Sequence, residues 1–328
     1  MIVRRYLPES GFTVVEMMIS VTISLLLLIG LVELMVGNKQ SFNTREEMGV
    51  LQGGARHALS VLGRDLEMVG HWGGIDSGIE NLATGTVTGV GGCDEAWALD
   101  VDTPIRGYEG AADITGVDGL PSNCVAASHY VPQSDLVVVR FAQGDHWVPS
   151  ALVTSPPYDG RIFFRSVAGV GGALFLGADD IPTDLPDQDG AYNYPYVVAL
   201  YYLRPCRVVT AAGCSDGVPT LVRLTLSDTS LVEEAVVEGV EQLQFSYGVD
   251  SDRDGAVEGY VDASAVKDWQ DVISVRFGLI VRSENEDDSI TDTAVYDLPG
   301  EFTWSPSQTD AGYARKKFVQ TIKLRNML

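Results

Sequence analysis

The sequence has little positive charge. Its 328 residues include 22 Lys and Arg against 45 Asp and Glu, and the formal net charge is −23. A surface this acidic repels nucleic-acid phosphates, so we expect no nucleic-acid partner. It favours divalent cations and basic partner proteins instead. Two stretches, residues 179–189 and 284–297, hold five and six acids without any Lys or Arg, and we expect both to be solvated loops.

The sequence also lacks the short motifs of several enzyme classes. No HExxH, G-x-S-x-G, G-x-G-x-x-G or P-loop lysine pattern is present. The four histidines are spread along the chain, at positions His57, His71, His129 and His146. No CxxC pair occurs, so the sequence gives no support for a zinc or redox site. We therefore expect that the protein is not an enzyme.

A long apolar segment lies close to the N-terminus. Residues 12–36 are apolar or small apart from Glu16 and Glu33. At 1.5 Å per helical residue these 25 residues reach about 37 Å, enough to cross a hydrocarbon core of about 30 Å. Arg4 and Arg5 precede the segment, so the positive-inside rule predicts a cytoplasmic N-terminus and a globular part across the membrane.

Three simple interpretations of this segment each leave one of its features unexplained. A cleaved secretory signal would have a shorter apolar run followed by small residues at a cleavage site. The Arg4-Arg5 pair lacks the flanking residues of a twin-arginine signal. A plain membrane anchor accounts for the length, but an ionisable Glu16 inside the span costs a few kcal/mol unless its carboxylate reaches the interface. Glu16 therefore indicates a function beyond anchoring.

The residues around Glu16 point to that function. The sequence Gly11-Phe12-Thr13-Val14-Val15-Glu16 follows a short basic leader and precedes an unbroken apolar run. It resembles the type IV prepilin motif, also called the class III signal. The resemblance implies that a prepilin peptidase cuts after Gly11, that Phe12 becomes the N-methylated first residue, and that Glu16 meets the terminal amine of a neighbouring subunit. A buried carboxylate is tolerable when it is paired with such a cation.

A helical stripe continues beyond the span. Apolar residues recur at steps of three and four, at Leu51, Ala55, Ala58, Leu62, Leu66 and Val69. The pattern predicts one helix over about residues 12–69, with an amphipathic second half over residues 37–70. The Gly53-Gly54 pair weakens its middle by up to about 1 kcal/mol per residue relative to Ala.

The rest of the chain predicts a β-rich domain. We expect an irregular, Gly-rich region over residues 71–134 and an antiparallel sheet domain over residues 135–328. Segments rich in β-branched and aromatic residues predict seven strands, at residues 135–142, 161–167, 196–204, 220–226, 240–249, 271–282 and 316–325. A helix followed by a run of strands predicts an α+β fold in which the sheet packs on the helix.

Further sequence segments make the resemblance more specific. Residues 53–70, 245–250, 269–283 and 321–326 are similar to those of PilW-type minor pilins. The resemblance implies a pilin-like fold and a structural subunit that enters or primes a type IV pilus, in a tip complex with other minor pilins. It also implies contact with the major pilin, the inner-membrane pilus assembly platform and a tip adhesin. The globular domain would then lie in the periplasm or at the pilus tip.

Two other functions remain open from the sequence. A J-like pseudopilin of a type II secretion system would carry the same leader motif and would lie among secretion genes. A membrane-anchored, calcium-dependent binding domain would never enter a filament, and the prepilin peptidase would not shorten it.

Four cysteines follow the span and would lie in the oxidising periplasm. Four cysteines allow three pairings. The nearest-neighbour pairing joins Cys93 to Cys124 and Cys206 to Cys214. A Cys that often follows the Gly70 turn in the family is absent, so the family's own disulfide pattern is not transferred to this chain.

The run Asp250-Ser251-Asp252-Arg253-Asp254-Gly255 predicts a calcium loop. Oxygens at its first, third and fifth positions, Gly at the sixth and the carbonyl of Ala256 at the seventh match half of an EF-hand loop. The twelfth position is Val261 and a strand precedes the run, which excludes an EF-hand. Glu258 or Asp262 would complete the calcium shell on a strand connection. The alternative is a polar turn whose Asp side chains face water.

Overall fold

The computed structural model describes most of the chain as two compact units, Met1–Val50 and Leu51–Leu328. The described residues are 11, 13–75, 78–179, 181–210, 213–287 and 289–327, with the backbone alone described at 40, 41, 43 and 44.

The first element is the helix α1, which runs from Val14 to Met68 over 55 residues. These bounds agree with the predicted helix, and the Gly53-Gly54 pair does not interrupt it. Within the second unit the six apolar residues of the predicted stripe are all buried, with at most 3% of each side chain exposed. The 3.6-residue period of the helix places them on one face, toward the core.

Short helices and many strands follow α1. The short helices are α2 (Glu95–Ala98) and α3 (Ser150–Val153). In the described residues the strands are β1 (Ile79–Asn81), β2 (Ile105–Tyr108), β3 (Leu136–Ala142), β4 (Ile162–Val167), β5 (Gly171–Leu176), β6 (Ala191–Arg204), β7 (Val209–Thr210), β8 (Gly213–Cys214), β9 (Thr220–Ser227), β10 (Ser230–Glu238), β11 (Val240–Val249), β12 (Gly259–Val261), β13 (Val272–Arg282), β14 (Tyr296–Asp297), β15 (Thr303–Trp304) and β16 (Arg315–Lys323).

The larger sheet is built around the long strand β6. Its order is β1-β5-β4-β6-β3-β2, and β9 also pairs with β6 and carries β10. The first part of β6 pairs with β4, and its later part pairs with β3 and β9. Every pair is antiparallel except β1 with β5.

The smaller sheet has the order β12-β11-β13-β16 and is antiparallel throughout. Its two long central strands, β11 and β13, place Phe245 opposite Phe277, and both rings are buried. These strands were predicted from their β-branched and aromatic content, because such side chains pack well on a pleated surface.

The second half of α1 packs on strands of both sheets. Tyr201 of β6 donates its hydroxyl to Asp65 of the helix at 2.6 Å. Gly63 lies so close to β16 that a methyl group on it would be 3.5 Å from the Gln320 side chain. Asn326, beyond β16, donates its side-chain amide to the carbonyls of Glu67 and Val69. The predicted α+β class, with an antiparallel sheet on a long N-terminal helix, is confirmed.

The structure contains strands that the sequence did not predict. Residues 71–134, predicted to be irregular, include β1, α2 and β2, which have three or four residues each and show no period. Strand β10 was missed because Glu233 and Glu234 interrupt its apolar pattern. Strand β6 begins five residues earlier than predicted, since its Pro195 is tolerated opposite Phe163 of β4.

Both disulfides follow the nearest-neighbour pairing. Cys93 bonds to Cys124 with the Cα atoms 5.0 Å apart, and Cys206 bonds to Cys214 with the Cα atoms 5.3 Å apart. Cys93 and Cys124 are buried in the same hydrophobic core as Trp72 and Tyr130. The second bond closes a loop that contains β7 and β8.

Candidate functional site

The N-terminal motif is described from Thr13 onward, together with Gly11. The leader residues 1–10 and Phe12, the predicted methylated residue, lie outside the described residues. Gly11 is exposed, and a side chain placed on it would meet no other atom within 4 Å. Cleavage after Gly11 and methylation of Phe12 therefore stay predictions.

Thr13 caps the first turn of α1 at Glu16. The backbone N–H of Glu16 donates to Oγ1 of Thr13 at 3.2 Å, and the N–H of Met17 donates to the Thr13 carbonyl at 3.1 Å. A Thr three residues before a Glu is the spacing of a capping box. This sequence signal was not used in the prediction. The cap fixes Glu16 in the first turn, where the helix dipole favours a negative charge.

The segment that follows is apolar, and no described residue of the chain covers it. Val14–Lys39 is long and apolar enough to cross a membrane, and none of it is buried. Its Ser20, Thr22 and Ser24 each donate to the carbonyl four residues earlier at 2.7 Å. Such bonds satisfy hydroxyl groups inside apolar surroundings. The exposed surface therefore needs lipid or other helices to cover it.

The predicted calcium residues meet in the loop between β11 and β12. Asp250, Asp252 and Asp254 bring carboxylate oxygens within 4.8 Å of one another. This separation is about twice a Ca–O bond of 2.3–2.6 Å, so one cation could contact all three. Asp250 is buried, and it accepts backbone N–H groups from Asp254 at 3.1 Å and Gly255 at 2.7 Å.

Charge repulsion inside this loop is not relieved by the one arginine in it. The charge of Asp254 raises the pKa of Asp252, as expected when like charges are held together. Arg253 has its guanidinium on Asp271 instead, with Nε and Nη2 at 3.2 and 3.1 Å from Oδ1. The donor set is oxygen only, which suits a hard cation such as calcium.

The residues predicted to complete the shell divide between two places. Glu258 lies in the same loop, where its carboxylate accepts from Ser251 at 2.8 and 2.9 Å. Ala256 donates its N–H to Asp254 at 2.8 Å. Asp262 is not in the loop, because the three residues of β12 carry the chain away from it by about 10 Å.

Asp262 instead belongs to an acidic cluster with the half-buried Glu109 and the buried Asp135. Asp135 is 2% exposed, and its carboxylate accepts two backbone N–H groups at 2.8 Å each. Burial, and then the charge of Glu109, raise the pKa of Asp135 well above its ordinary range. Burial, and then the charge of Asp262, raise the pKa of Glu109 as well.

The fully buried hydroxyl of Tyr247 lies beside these acids and has no hydrogen-bond partner in the described part of the chain. The acidic cluster was missed because its members lie on three separate segments of the sequence.

Comparison with known proteins finds a family match in the C-terminal part of the chain. Residues 208–326 match the family model described as PilW, type IV pilus-assembly protein W. The resemblance to PilW-type minor pilins is confirmed. The PilW match covers about a third of the chain, from β7 to the end of β16, and includes the acidic loop. This match supports a pilin-like structural role in the type IV pilus, and the apolar N-terminal helix fits a membrane-anchored pilus protein.

Among solved structures, a type IV-like pilin from Thermus thermophilus aligns with a TM-score of 0.33 and 12% sequence identity. The alignment covers 84% of this chain and 96% of that pilin. No match is found among curated proteins.

Proposed function

We propose that the protein is a minor pilin that enters a type IV pilus, or primes its assembly, in a tip complex with other minor pilins. The observation that carries the proposal is an uncovered apolar helix with a capped Glu16, in the same chain as a PilW-type domain. An apolar helix surface of this length is stable only in lipid or against other helices. Transfer from the inner membrane to a bundle of pilin helices satisfies both conditions.

In this proposal the prepilin peptidase removes residues 1–11, and the new amine belongs to Phe12, four residues before Glu16 in the sequence. The helix dipole of the chain itself stabilises the Glu16 carboxylate, and the amine of a neighbouring subunit neutralises it. The partners are the major pilin, the other minor pilins and the inner-membrane assembly platform, and a tip adhesin is a further candidate. The role is structural, with the N-terminus cytoplasmic and the globular unit periplasmic before assembly.

We also propose that the acidic loop binds calcium through Asp250, Asp252 and Asp254. Their convergence within 4.8 Å and the raised pKa of Asp252 support the proposal. The carbonyl of Ala256 and the carboxylate of Glu258 are the remaining candidate ligands, and Asp262 is omitted from the shell. The ion would stiffen the connection between β11 and β12.

Mass spectrometry of the full chain, purified from its native host, tests the pilin proposal. A mature N-terminus at methylated Phe12, with the first 11 residues absent, is the expected result. An intact Met1 would overturn the proposal and favour a membrane-anchored binding domain. Recovery of the processed chain with sheared pili then separates a pilus subunit from a secretion pseudopilin.

A further inference from the structure

A row of aromatic rings lies on the second unit, at the start of β6. Trp147, Tyr192, Tyr194 and His71 follow one another with ring centroids 5.7, 5.9 and 6.0 Å apart. The Trp147 ring stands at 82° to that of Tyr192, and the rings of Tyr192 and Tyr194 stack at 28°. We call these four residues the aromatic strip.

The outer part of the aromatic strip is open to solvent. Trp147 is 53% exposed and Tyr192 is 40% exposed. Over the described residues of 51–327, no other Phe, Tyr or Trp side chain is exposed. The burial of a Trp or Tyr ring is a large source of binding free energy, so an exposed pair of such rings marks a contact surface.

The local chain holds the aromatic strip in place. Asn193 lies between Tyr192 and Tyr194 in the sequence, and its side chain is buried. Its side-chain amide donates to the carbonyl of Val148 at 3.0 Å. The N–H of Val148 donates back to Asn193 at 2.8 Å, which fixes Trp147 beside β6. Gly73, at φ +58°, passes so close to Tyr194 that a methyl group on it would lie 2.7 Å from the ring. A surface arranged in advance loses little entropy on binding.

The surroundings of the aromatic strip are acidic. A second acidic segment, residues 179–189, ends three residues before Tyr192, and its Asp184, Asp187 and Asp189 are exposed. Asp187 accepts from Ser150 at 2.7 Å, which holds this acidic segment near the one that carries Trp147. The buried Arg165 is ion-paired with Asp187 at 3.3 Å, so Asp184 and Asp189 remain for a partner. The whole chain carries −23, so the potential over the rings favours a cation.

We propose that the aromatic strip binds a basic segment of another protein, with Arg or Lys side chains over the faces of Trp147 and Tyr192. Cations are attracted to the faces of Trp and Tyr rings, and a neighbouring carboxylate adds to that attraction. A neutral saccharide would also stack on the rings, but it would leave the exposed Asp184 and Asp189, which form no ion pair in the described part of the chain, without a counter-charge. The inference concerns this surface alone and does not depend on entry into a pilus.

Calorimetric titration of the full chain in detergent micelles tests the inference. The probe is an octapeptide of alternating Arg and Gly, and the same peptide with Gln for Arg is the uncharged control. We expect saturable binding of the Arg peptide alone, weakened about tenfold by Trp147→Ala and by Tyr192→Ala. Val319→Ala, which removes a similarly exposed apolar side chain on β16 of the smaller sheet, should leave the affinity unchanged.

Several results would overturn the inference. Equal affinity for the parent and for both aromatic variants would mean that net charge alone attracts the peptide. Binding of cellotetraose that needs Trp147, without binding of the Arg peptide, would assign the surface to saccharides. Because Trp147 and Tyr192 are half-exposed, both variants should fold, and an unchanged melting temperature checks this.

Discussion

Asp135 accepts a hydrogen bond from the backbone N–H of Phe245 at 2.8 Å, and this contact joins the two sheets. Asp135 precedes β3 of the larger sheet, and Phe245 lies in β11 of the smaller one. The N–H of Asp135 donates in turn to the carbonyl of Leu243 at 2.9 Å. The carboxyl therefore sits at a junction, with Glu109 and Asp262 as acidic neighbours.

This acidic cluster predicts a dependence of stability on pH. Folding raises the pKa values of Asp135, Glu109 and Asp262, so the folded state binds their protons more tightly than the unfolded chain does. Their contribution to stability is complete below the unfolded pKa of about 4 and is lost as the pH rises through the folded values. Glu109→Gln removes one of the repelling charges and keeps an acceptor oxygen.

We expect Glu109→Gln to stabilise the second unit by up to about 1 kcal/mol at pH 7–8 and to change little below pH 4. Urea unfolding followed by Trp fluorescence measures this, because all five Trp residues lie in the second unit. Glu80→Gln, at an exposed acid outside the cluster, is the matched control. A gain of the same size at both pH values would contradict the assignment.

Replacement of Glu16 should block assembly. Glu16→Gln removes the charge that the neighbouring amine neutralises in our proposal, so we expect loss of the protein from the sheared pilus fraction, while its amount in the membrane is unchanged. Glu33→Gln alters the other acid of the same span and should still be incorporated. Equal incorporation of both variants would show that Glu16 has no special part in assembly.

Calcium should stabilise the second unit through the acidic loop. A site saturated at 100 times its Kd adds about 2.7 kcal/mol to the free energy of unfolding. We expect calcium to raise the melting temperature of the full chain, and Asp252→Asn to abolish the rise. Asp118→Asn, at an exposed acid elsewhere, should retain it. Identical melting temperatures with calcium and with a chelator would contradict the proposed calcium site.

The two disulfides should differ in their effect on stability. In the chain-entropy relation, the longer loop of Cys93–Cys124 corresponds to about 3.7 kcal/mol and the shorter loop of Cys206–Cys214 to about 2.6 kcal/mol. Replacing each pair by Ala and measuring urea unfolding gives the two losses. A larger loss from the Cys206 and Cys214 pair would mean that the β7–β8 hairpin contributes more than loop closure.

Regular periods made much of the fold predictable. The spacing of Leu51, Ala55 and Leu62 was enough to predict the buried face of α1, because one helical residue fixes the position of those three and four steps away. β11 and β13 were long enough for their β-branched and aromatic content to predict that they are strands. Strands of three or four residues, such as β1 and β2, contain too few positions for any period to appear.

The site was predictable only where it is local in sequence. Asp250, Asp252 and Asp254 meet because they share one tight loop, and their spacing predicts this. Glu258 and Asp262 were both open as further ligands, because closeness in sequence does not reveal that β12 separates Asp262 from the loop. The pairing of Trp147 with Tyr192 depends on a backbone bridge between distant residues, which no local pattern could indicate.

Strand β6 has a consequence for how the second unit comes apart. Its one backbone is shared by β4 at one end and by β3 and β9 at the other, so both ends of the larger sheet depend on it. Unfolding that begins at an outer strand of one part of the sheet must pass through β6 to reach the other part. Displacement of β6 would therefore remove a pairing partner from β3, β4 and β9 at once.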